Sequence, residues 1–164
     1  MEIEEFVTNQ NYVREFIRWA WPCMKNLHIY SKEKQLRLAG VWPKIELQVF
    51  SAANTGILNK DILLLWEKAV KEVLIVQSSH PMLDYMFGKH NDEVVRLSKY
   101  NPEIKICLAR AGIFDGKNVI FKSGSELCGI SPYLTLKNGD LVGVHLNTVV
   151  DLLDKERFKI YYNI

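Results

Sequence analysis

The chain has 164 residues, of which 48% are hydrophobic and 24% charged, and its formal net charge is +2. These values are typical of one globular domain, and they exclude a largely disordered or strongly polycationic chain. No apolar run approaches the roughly 20 residues that a membrane-spanning helix needs, and the acidic start lacks the basic region of a secretory signal. We therefore expect a single cytoplasmic domain without membrane association.

The cysteines and the standard motifs give no support for a metal or a cofactor. Cys23, Cys107 and Cys128 lie far apart, without a Cys-x-x-Cys pair, so neither a disulfide framework nor a zinc site is expected. The chain also lacks a dinucleotide-binding glycine fingerprint, a Walker A loop, a His-Glu-x-x-His motif and a Gly-x-Ser-x-Gly elbow. We expect no cofactor and no metal.

The first fifty residues predict a helical cap followed by a strand. Apolar residues at helical spacing predict an N-terminal helix, which we expect to break at Trp21-Pro22 because proline disfavours helix in the preceding residue. A second helix is predicted over residues 23–38, and the alternating segment 44–50 predicts a half-buried strand. The segment 51–56 is typical of a loop, dividing the cap (1–50) from an α/β core (57–164).

Residues 17–45 combine basic and aromatic side chains in a way that favours nucleic acid. Phosphates need cationic partners and unstacked bases need aromatic faces. The alternative is an ordinary solvated helix whose aromatic residues point into the core. The predicted surface for nucleic acid or a protein partner consists of Arg18, Lys25, Lys32, Lys34, Arg37 and Trp42.

The centre of the chain predicts a β-α-β unit. An amphipathic helix capped by Asn59 or Asp61 leads into the apolar run 72–77, which is typical of a strand covered on both faces. A helical stretch with a bend at Gly88 follows, and the run 103–109 is rich in β-branched residues. Two parallel strands joined by a right-handed helical crossover are the natural arrangement.

The last third of the chain predicts antiparallel structure. Asp115-Gly116 and Asn138-Gly139 favour hairpin turns, since both central positions need positive φ. We expect hairpins formed by 111–113 with 118–121 and by 133–136 with 141–146. A short helix over 148–157 and a closing strand over 159–162 are also predicted. The fold class is thus α/β or α+β, with a mixed sheet, a central β-α-β unit and an N-terminal helical segment.

The densest polar cluster follows the run 72–77. Ser78, Ser79 and His80 would lie at the carboxyl end of a strand, where α/β sheets commonly bind ligands. His80 and Asp84 are four residues apart and share a helix face, so they could act as a general base with its orienting acid or as two metal ligands, which would need further ligands from distant residues. The alternative is purely structural, with a serine capping a helix whose first turn holds a proline and Asp84.

Three segments resemble phospholipase D-like domains. Residues 65–77 and 101–108 resemble the opening helix and strands of that family, and residues 113–125 are similar to the hairpin carrying its His-x-Lys-x4-Asp motif and Gly-Ser step. Placing the aspartate of that motif on Asp115 puts Leu108 at the histidine and Arg110 at the lysine. Since the histidine is the nucleophile of the family, the resemblance implies a degenerate member that binds and does not cleave.

Three functions follow as hypotheses. The first is a non-catalytic binding or regulatory module that contacts nucleic acid or a protein through the basic stretch. The second is a hydrolase or transferase for a phosphate-bearing substrate, in which His80 and Asp84 are catalytic. In that case the phosphate contacts are Ser78, Ser79, Lys89 and Arg110. The third is a homo-oligomeric structural protein that pairs through residues 158–164 as an edge strand.

Overall fold

A computed structural model describes residues 1–26 and 32–163, apart from the side chains of Lys34 and Arg37. The chain divides into two compact units, Met1–Tyr85 and Met86–Ile164. The first consists of helices, whereas the second combines helices with a mixed sheet. The predicted fold class, α+β with a mixed sheet and N-terminal helices, is therefore confirmed.

The first unit, called the helical unit below, is built around one long helix. That helix, α2, carries most of the buried aromatic side chains, and α4 and α7 pack against it. The helices are α1 (Ile3–Thr8), α2 (Gln10–Lys25), α3 (Lys32–Ala39), α4 (Trp42–Thr55), α5 (Lys60–Leu63), α6 (Glu67–Ile75) and α7 (Pro81–Tyr85), with a 3-10 turn at Leu64–Trp66.

Helix α2 does not break at Trp21-Pro22, so that prediction is wrong. Pro22 costs the helix a backbone hydrogen bond and about 3 kcal/mol. The cost is offset because an unbroken helix buries Trp19 and Met24 completely, each contributing roughly 1.5–3 kcal/mol or more. The helix ends one turn later, where the backbone and side-chain N–H groups of Asn26 both donate to the Pro22 carbonyl.

The segment predicted as a strand over 44–50 and a loop over 51–56 is helix α4. Pro43 fits the first turn of the helix, and Ile45, Val49 and Ala52 are buried at a spacing of four and three residues. The helix ends at Gly56, whose φ of 74° puts it in the left-handed region. A Cβ there would lie 2.8 Å from the Gln10 backbone, so only glycine fits.

The run 72–77 is helical up to Ile75 and forms no strand, which removes the first strand of the predicted β-α-β unit. Val70 and Val73 are buried three residues apart, whereas Ile75 is 65% exposed, so the run is not covered on two faces. A Glu67–Lys71 ion pair one turn apart supports the helix, and the N-terminal ammonium group of Met1 donates to the Leu74 carbonyl at its end. Helical burial outweighs β-propensity here.

The second unit, called the sheet unit, begins with a π-helical turn (Met86–His90) in which Gly88 has non-helical angles, as the predicted bend requires. Helix α8 (Asn91–Ser98) and a 3-10 segment (Pro102–Cys107) lead into the sheet. The strands are β1 (Arg110–Phe114), β2 (Val119–Phe121), β3 (Gly124–Glu126), β4 (Gly129–Ile130), β5 (Leu141–His145) and β6 (Thr148–Leu152), and α9 (Lys155–Tyr161) follows.

The second predicted parallel strand, 103–109, is wrong as well. Asn101 caps the segment by accepting the Glu103 N–H, and Pro102 starts a 3-10 turn that continues to Cys107. Only the last residue of the run, Ala109, leads directly into the sheet. The helix-start chemistry of Asn-Pro therefore outweighs the β-branched composition, and the β-α-β unit does not form.

The strand order is β3-β2-β1-β5-β6-β4, and all pairs are antiparallel except β4 with β6. The first predicted hairpin is confirmed as β1–β2. The second is wrong: the segment 133–136 forms no strand, and β5 pairs instead with β1 and β6. The β5–β6 turn uses Leu146 and Asn147, both at positive φ, in place of a glycine.

The end of the chain reverses the predicted order of helix and strand. Residues 148–152 form β6, whereas 155–161 form α9, which Asp154 caps by accepting the Arg157 N–H. The predicted edge strand at 158–164 is therefore wrong for the residues described. Within residues 1–26 and 32–163, no helix has both the length and the apolar character to cross a membrane.

Candidate functional site

A concave site lies in the sheet unit beside the first hairpin. Strands β1 and β2 supply one wall, and the turn after α9 supplies the other. Its volume is about 350 Å³. We call it the Arg110 pocket, and its chemically informative lining residues are Arg110, Phe121, Lys122, Ser123, Tyr162 and Asn163.

Arg110 is held in place on several sides. It is the first residue of β1, and its guanidinium carbon lies 4.0 Å from the centroid of the Phe121 ring. One terminal nitrogen donates to the Glu126 carboxylate, and the other donates to Oδ1 of Asn147 over 3.4 Å. Because a guanidinium group carries five N–H donors, the planar group is oriented and still has donors left for a ligand.

The second wall is the turn after α9, and Lys122, just after β2, is hydrogen-bonded to it. Nζ of Lys122 donates to Oδ1 of Asn163 over 3.1 Å, and Nδ2 of Asn163 donates to the Lys159 carbonyl over 3.3 Å. The Tyr162 ring stacks on Phe158 at 4.8 Å between centroids. These contacts fix the second wall and leave two of the three ammonium protons of Lys122 for other acceptors.

The charge at this pocket favours an anion. The lining residues that the structure describes include two cations, Arg110 and Lys122, and the hydroxyl groups of Ser123 and Tyr162. Glu126, the carboxylate that pairs with Arg110, is not one of the lining residues. The pKa of the nearby Cys128 thiol is raised, because the effect of partial burial is larger than the opposing effect of the positive charge on Arg110. That thiol is therefore mainly protonated at neutral pH and is a poor nucleophile. The described groups are suited to binding.

A second arrangement lies in the helical unit, at the start of α7. Glu15 of α2 is only 4% exposed, and its Oε2 lies 2.7 Å from Nδ1 of His80. Its Oε1 accepts the Leu83 N–H over 3.1 Å. A buried carboxylate thus caps a helix start and holds an imidazole at the same time.

The predicted roles of the polar cluster are revised accordingly. Ser78, Ser79 and His80 do not follow a strand but lie in the bend between α6 and α7. Ser78 accepts the His80 N–H before α7 begins, so it forms a local turn, and the N–H of Leu83 in the first turn of α7 donates to Glu15 instead of a serine. The acid beside the His80 imidazole is Glu15, not Asp84, whose backbone N–H donates to the His80 carbonyl. The sequence separation of 65 residues hid this pair.

Of the predicted phosphate contacts, Arg110 lines the pocket, whereas Lys89 lies exposed in the π-helical turn. Lys122 and Asn163 were missed. The sequence does contain a signal for Lys122, because Lys122-Ser123 directly follows a strand of the predicted hairpin. Nothing in the sequence indicates Asn163, which depends on where α9 ends.

Several side chains of the basic stretch take part in packing or in an ion pair. Trp19 and Trp21 are buried, so they are not available to stack on bases. Lys25 pairs with Glu46 at 2.6 Å and lies 4.7 Å from the Trp21 centroid. Arg18 and Trp42 are half-buried, whereas Lys32 and Lys44 are exposed. The side chains of Lys34 and Arg37 lie outside the described residues, as does Tyr30.

The histidines of the sheet unit do not form a metal site. The rings of His90 and His145 meet edge to face at 5.3 Å between centroids. Among residues 1–26 and 32–163, however, no three His, Cys, Asp or Glu side chains are grouped closely enough to hold a metal ion.

Comparison of the chain with protein-family models, with curated proteins and with solved structures finds no match. The resemblance to phospholipase D-like domains therefore stays a prediction.

Proposed function

We propose that the sheet unit is a non-catalytic binding module that binds a small phosphate-bearing ligand in the Arg110 pocket. The observation that carries the proposal is the convergence of Arg110 and Lys122 on one concave site of about 350 Å³. That volume lies within the roughly 300–1,000 Å³ typical of small-molecule sites. A small ligand therefore fits better than a polymer at this position.

The chemistry of the lining supports phosphate. A planar guanidinium group recognises two phosphate oxygens at once, and a lysine adds a point charge. The Ser123 hydroxyl and the Tyr162 ring offer a further donor and a flat surface for the uncharged part of the ligand. A phosphorylated sugar or nucleoside matches this combination better than a bare inorganic anion does.

Calorimetric titration at low ionic strength tests the proposal. The probes are inorganic phosphate, ribose 5-phosphate and adenosine monophosphate, each added to the wild type and to Arg110→Met and Lys122→Met. We expect the organic phosphates to bind more tightly than inorganic phosphate. Arg110→Met should weaken binding roughly 10- to 100-fold, which is the usual value of hydrogen bonds to charged groups.

Lys117→Met is the matched control, because Lys117 lies exposed in the turn at the other end of the same hairpin. It removes one positive charge from the same unit without touching the pocket. Equal binding by Arg110→Met and Lys117→Met, or no binding of any probe by the wild type, would contradict the proposal.

Nucleic acid or a protein partner at the basic stretch is the second candidate. The observation in its favour is that Lys32 and Lys44 are exposed, although the burial of Trp19 and Trp21 weakens it. Labelled single- and double-stranded DNA and RNA should bind at low salt and dissociate as salt is added. Lys32→Gln with Lys44→Gln should reduce the binding, and no binding at low salt eliminates the nucleic-acid version.

A further inference from the structure

The His80 imidazole is held at one nitrogen and accessible at the other. Nδ1 lies 2.7 Å from the buried Glu15 carboxylate, whereas the side chain as a whole is 43% exposed. Within the residues that the structure describes, Nε2 makes no hydrogen bond. Since Glu15 is also anchored by the Leu83 N–H, the carboxylate and the imidazole have fixed positions.

This geometry selects one tautomer of the neutral ring. A carboxylate accepts hydrogen bonds, so the proton of a neutral imidazole must lie on Nδ1. The lone pair then lies on Nε2, on the side that solvent reaches. A carboxylate that orients a histidine in this way is the usual support of imidazoles that act as bases, nucleophiles or ligands.

We propose that His80 is a phosphoryl-accepting nucleophile, and that Glu15 is its positioning residue. The class of substrate is a compound with an activated phosphoryl group. Ser78, whose Oγ accepts the His80 backbone N–H over 3.1 Å, keeps its own proton for donation to a phosphoryl oxygen. This inference does not rest on the Arg110 pocket.

The step is balanced without any redox partner. The Nε2 lone pair forms a bond to phosphorus while the bond from phosphorus to its leaving group breaks. With N-protonated phosphoramidate as the donor, the leaving group departs as ammonia with the electron pair of the broken bond. The imidazole ring then carries a positive charge, and the Glu15 carboxylate, which accepts the Nδ1–H, stabilises that charge.

The test combines a structural and a chemical measurement on the full chain. Nitrogen NMR of the wild type should show the proton of the neutral His80 ring on Nδ1. Incubation with phosphoramidate, followed by phosphorus NMR and mass spectrometry, should show phosphate on Nε2 of His80. We expect this reaction to be about tenfold or more faster than that of N-acetylhistidine, and Glu15→Gln should remove the advantage.

The controls separate a chemical role of Glu15 from a structural one. His80→Gln should abolish the adduct, whereas His90→Gln should leave it unchanged. If Glu15→Gln fails to fold, the tautomer of His80 in the wild type and the wild-type reaction rate relative to N-acetylhistidine still test the proposal. A proton on Nε2, a rate equal to that of N-acetylhistidine, or an equal rate at another histidine would overturn the inference. Acylation of His80 by diethyl pyrocarbonate without phosphorylation would overturn the phosphoryl assignment.

Discussion

The two units use their cationic and aromatic side chains differently. In the helical unit, Trp19 and Trp21 are buried and Lys25 is paired with Glu46, so these three side chains of the basic stretch serve packing. In the sheet unit, Arg110 begins β1 and Lys122 directly follows its partner strand β2, so both residues lie at one end of the hairpin and line one concave site. Where the fold directs the side chains is therefore a better guide to a binding surface than the number of basic residues in a segment.

The units also differ in how their cores are built. The helical unit relies on one helix, α2, with large side chains such as Trp19, Phe16 and Met24 fully buried. The core of the sheet unit is spread over the four strands β1, β2, β5 and β6, and most of its side chains are smaller than those buried by α2. Its buried members are Phe114, Val119, Phe121, Val142, Val144 and Val149. We expect single substitutions to be most damaging in α2.

The largest expected effect follows from truncating the centre of α2. Trp19→Ala should lower the free energy of unfolding by about 3–5 kcal/mol, since Trp19 is fully buried. Denaturant titration followed by far-ultraviolet circular dichroism measures the change. Tyr100→Ala, at an 84% exposed position, should stay within about 0.5 kcal/mol of the wild type. If the two variants lose equal stability, the core of the helical unit does not depend on α2.

In the sheet unit the sharpest constraint is Gly112 on β1. A Cβ at this position would lie 2.4 Å from Cγ1 of Val119 on β2, so Gly112→Ala should cost about 1–3 kcal/mol through overpacking. Gly129→Ala is the matched control, because its Cβ would make only ordinary contacts at 3.7 Å. Thermal unfolding of the two variants checks the difference. A Gly112→Ala protein as stable as the control would show that the β1–β2 contact is not tight.

The fold was predictable from the sequence where local chemistry decides it. Asn59 caps α5 and Pro81 begins α7 as predicted, and the Asp115-Gly116 turn forms the first hairpin. Short apolar runs such as 72–77 were not predictable, because a buried helix and a buried strand share their composition. The partner of a strand depends on distant segments, which explains why β5 was predicted to pair with residues 133–136 and pairs instead with β1 and β6.

The candidate sites were predictable only in part. Arg110 and His80 could be singled out from the sequence, but their partners Glu126 and Glu15 lie 16 and 65 residues away along the chain. The second wall of the Arg110 pocket depends on where α9 ends. Asp154 caps the start of α9, but the sequence pattern placed this residue inside a helix predicted over 148–157. Tertiary convergence carries this information, and single-sequence patterns do not.

A smaller effect concerns the ion pair between Arg110 and Glu126. Glu126 occupies one terminal nitrogen of Arg110, so a ligand phosphate must compete with it. Glu126→Gln should tighten binding of ribose 5-phosphate by about two- to fivefold, which corresponds to the roughly 0.2–1 kcal/mol of an exposed pair. Calorimetry measures the change, and weaker binding by this variant would show that the loss of the orienting contact outweighs the loss of competition.

The smallest expected effect is the pH dependence of the first hairpin. The Asn118 and Lys117 N–H groups donate to Asp115 and lower the pKa of its carboxyl below the ordinary 3.8. A lowered folded pKa stabilises the fold above pH 3.8, and this contribution disappears as the pH falls through the folded pKa. Asp115→Asn should therefore melt below the wild type at pH 7 and approach it at acid pH. A constant difference would exclude a contribution of the charge.

The binding proposal is tested most directly by mapping a bound phosphate on the whole chain with amide NMR. Titration with ribose 5-phosphate should shift the signals of Arg110, Lys122, Ser123 and Asn163 in a saturable manner, and it should leave those of Trp19, Lys25 and Lys32 in place. Saturable shifts confined to the helical unit, or no shifts at the Arg110 pocket, would contradict the account.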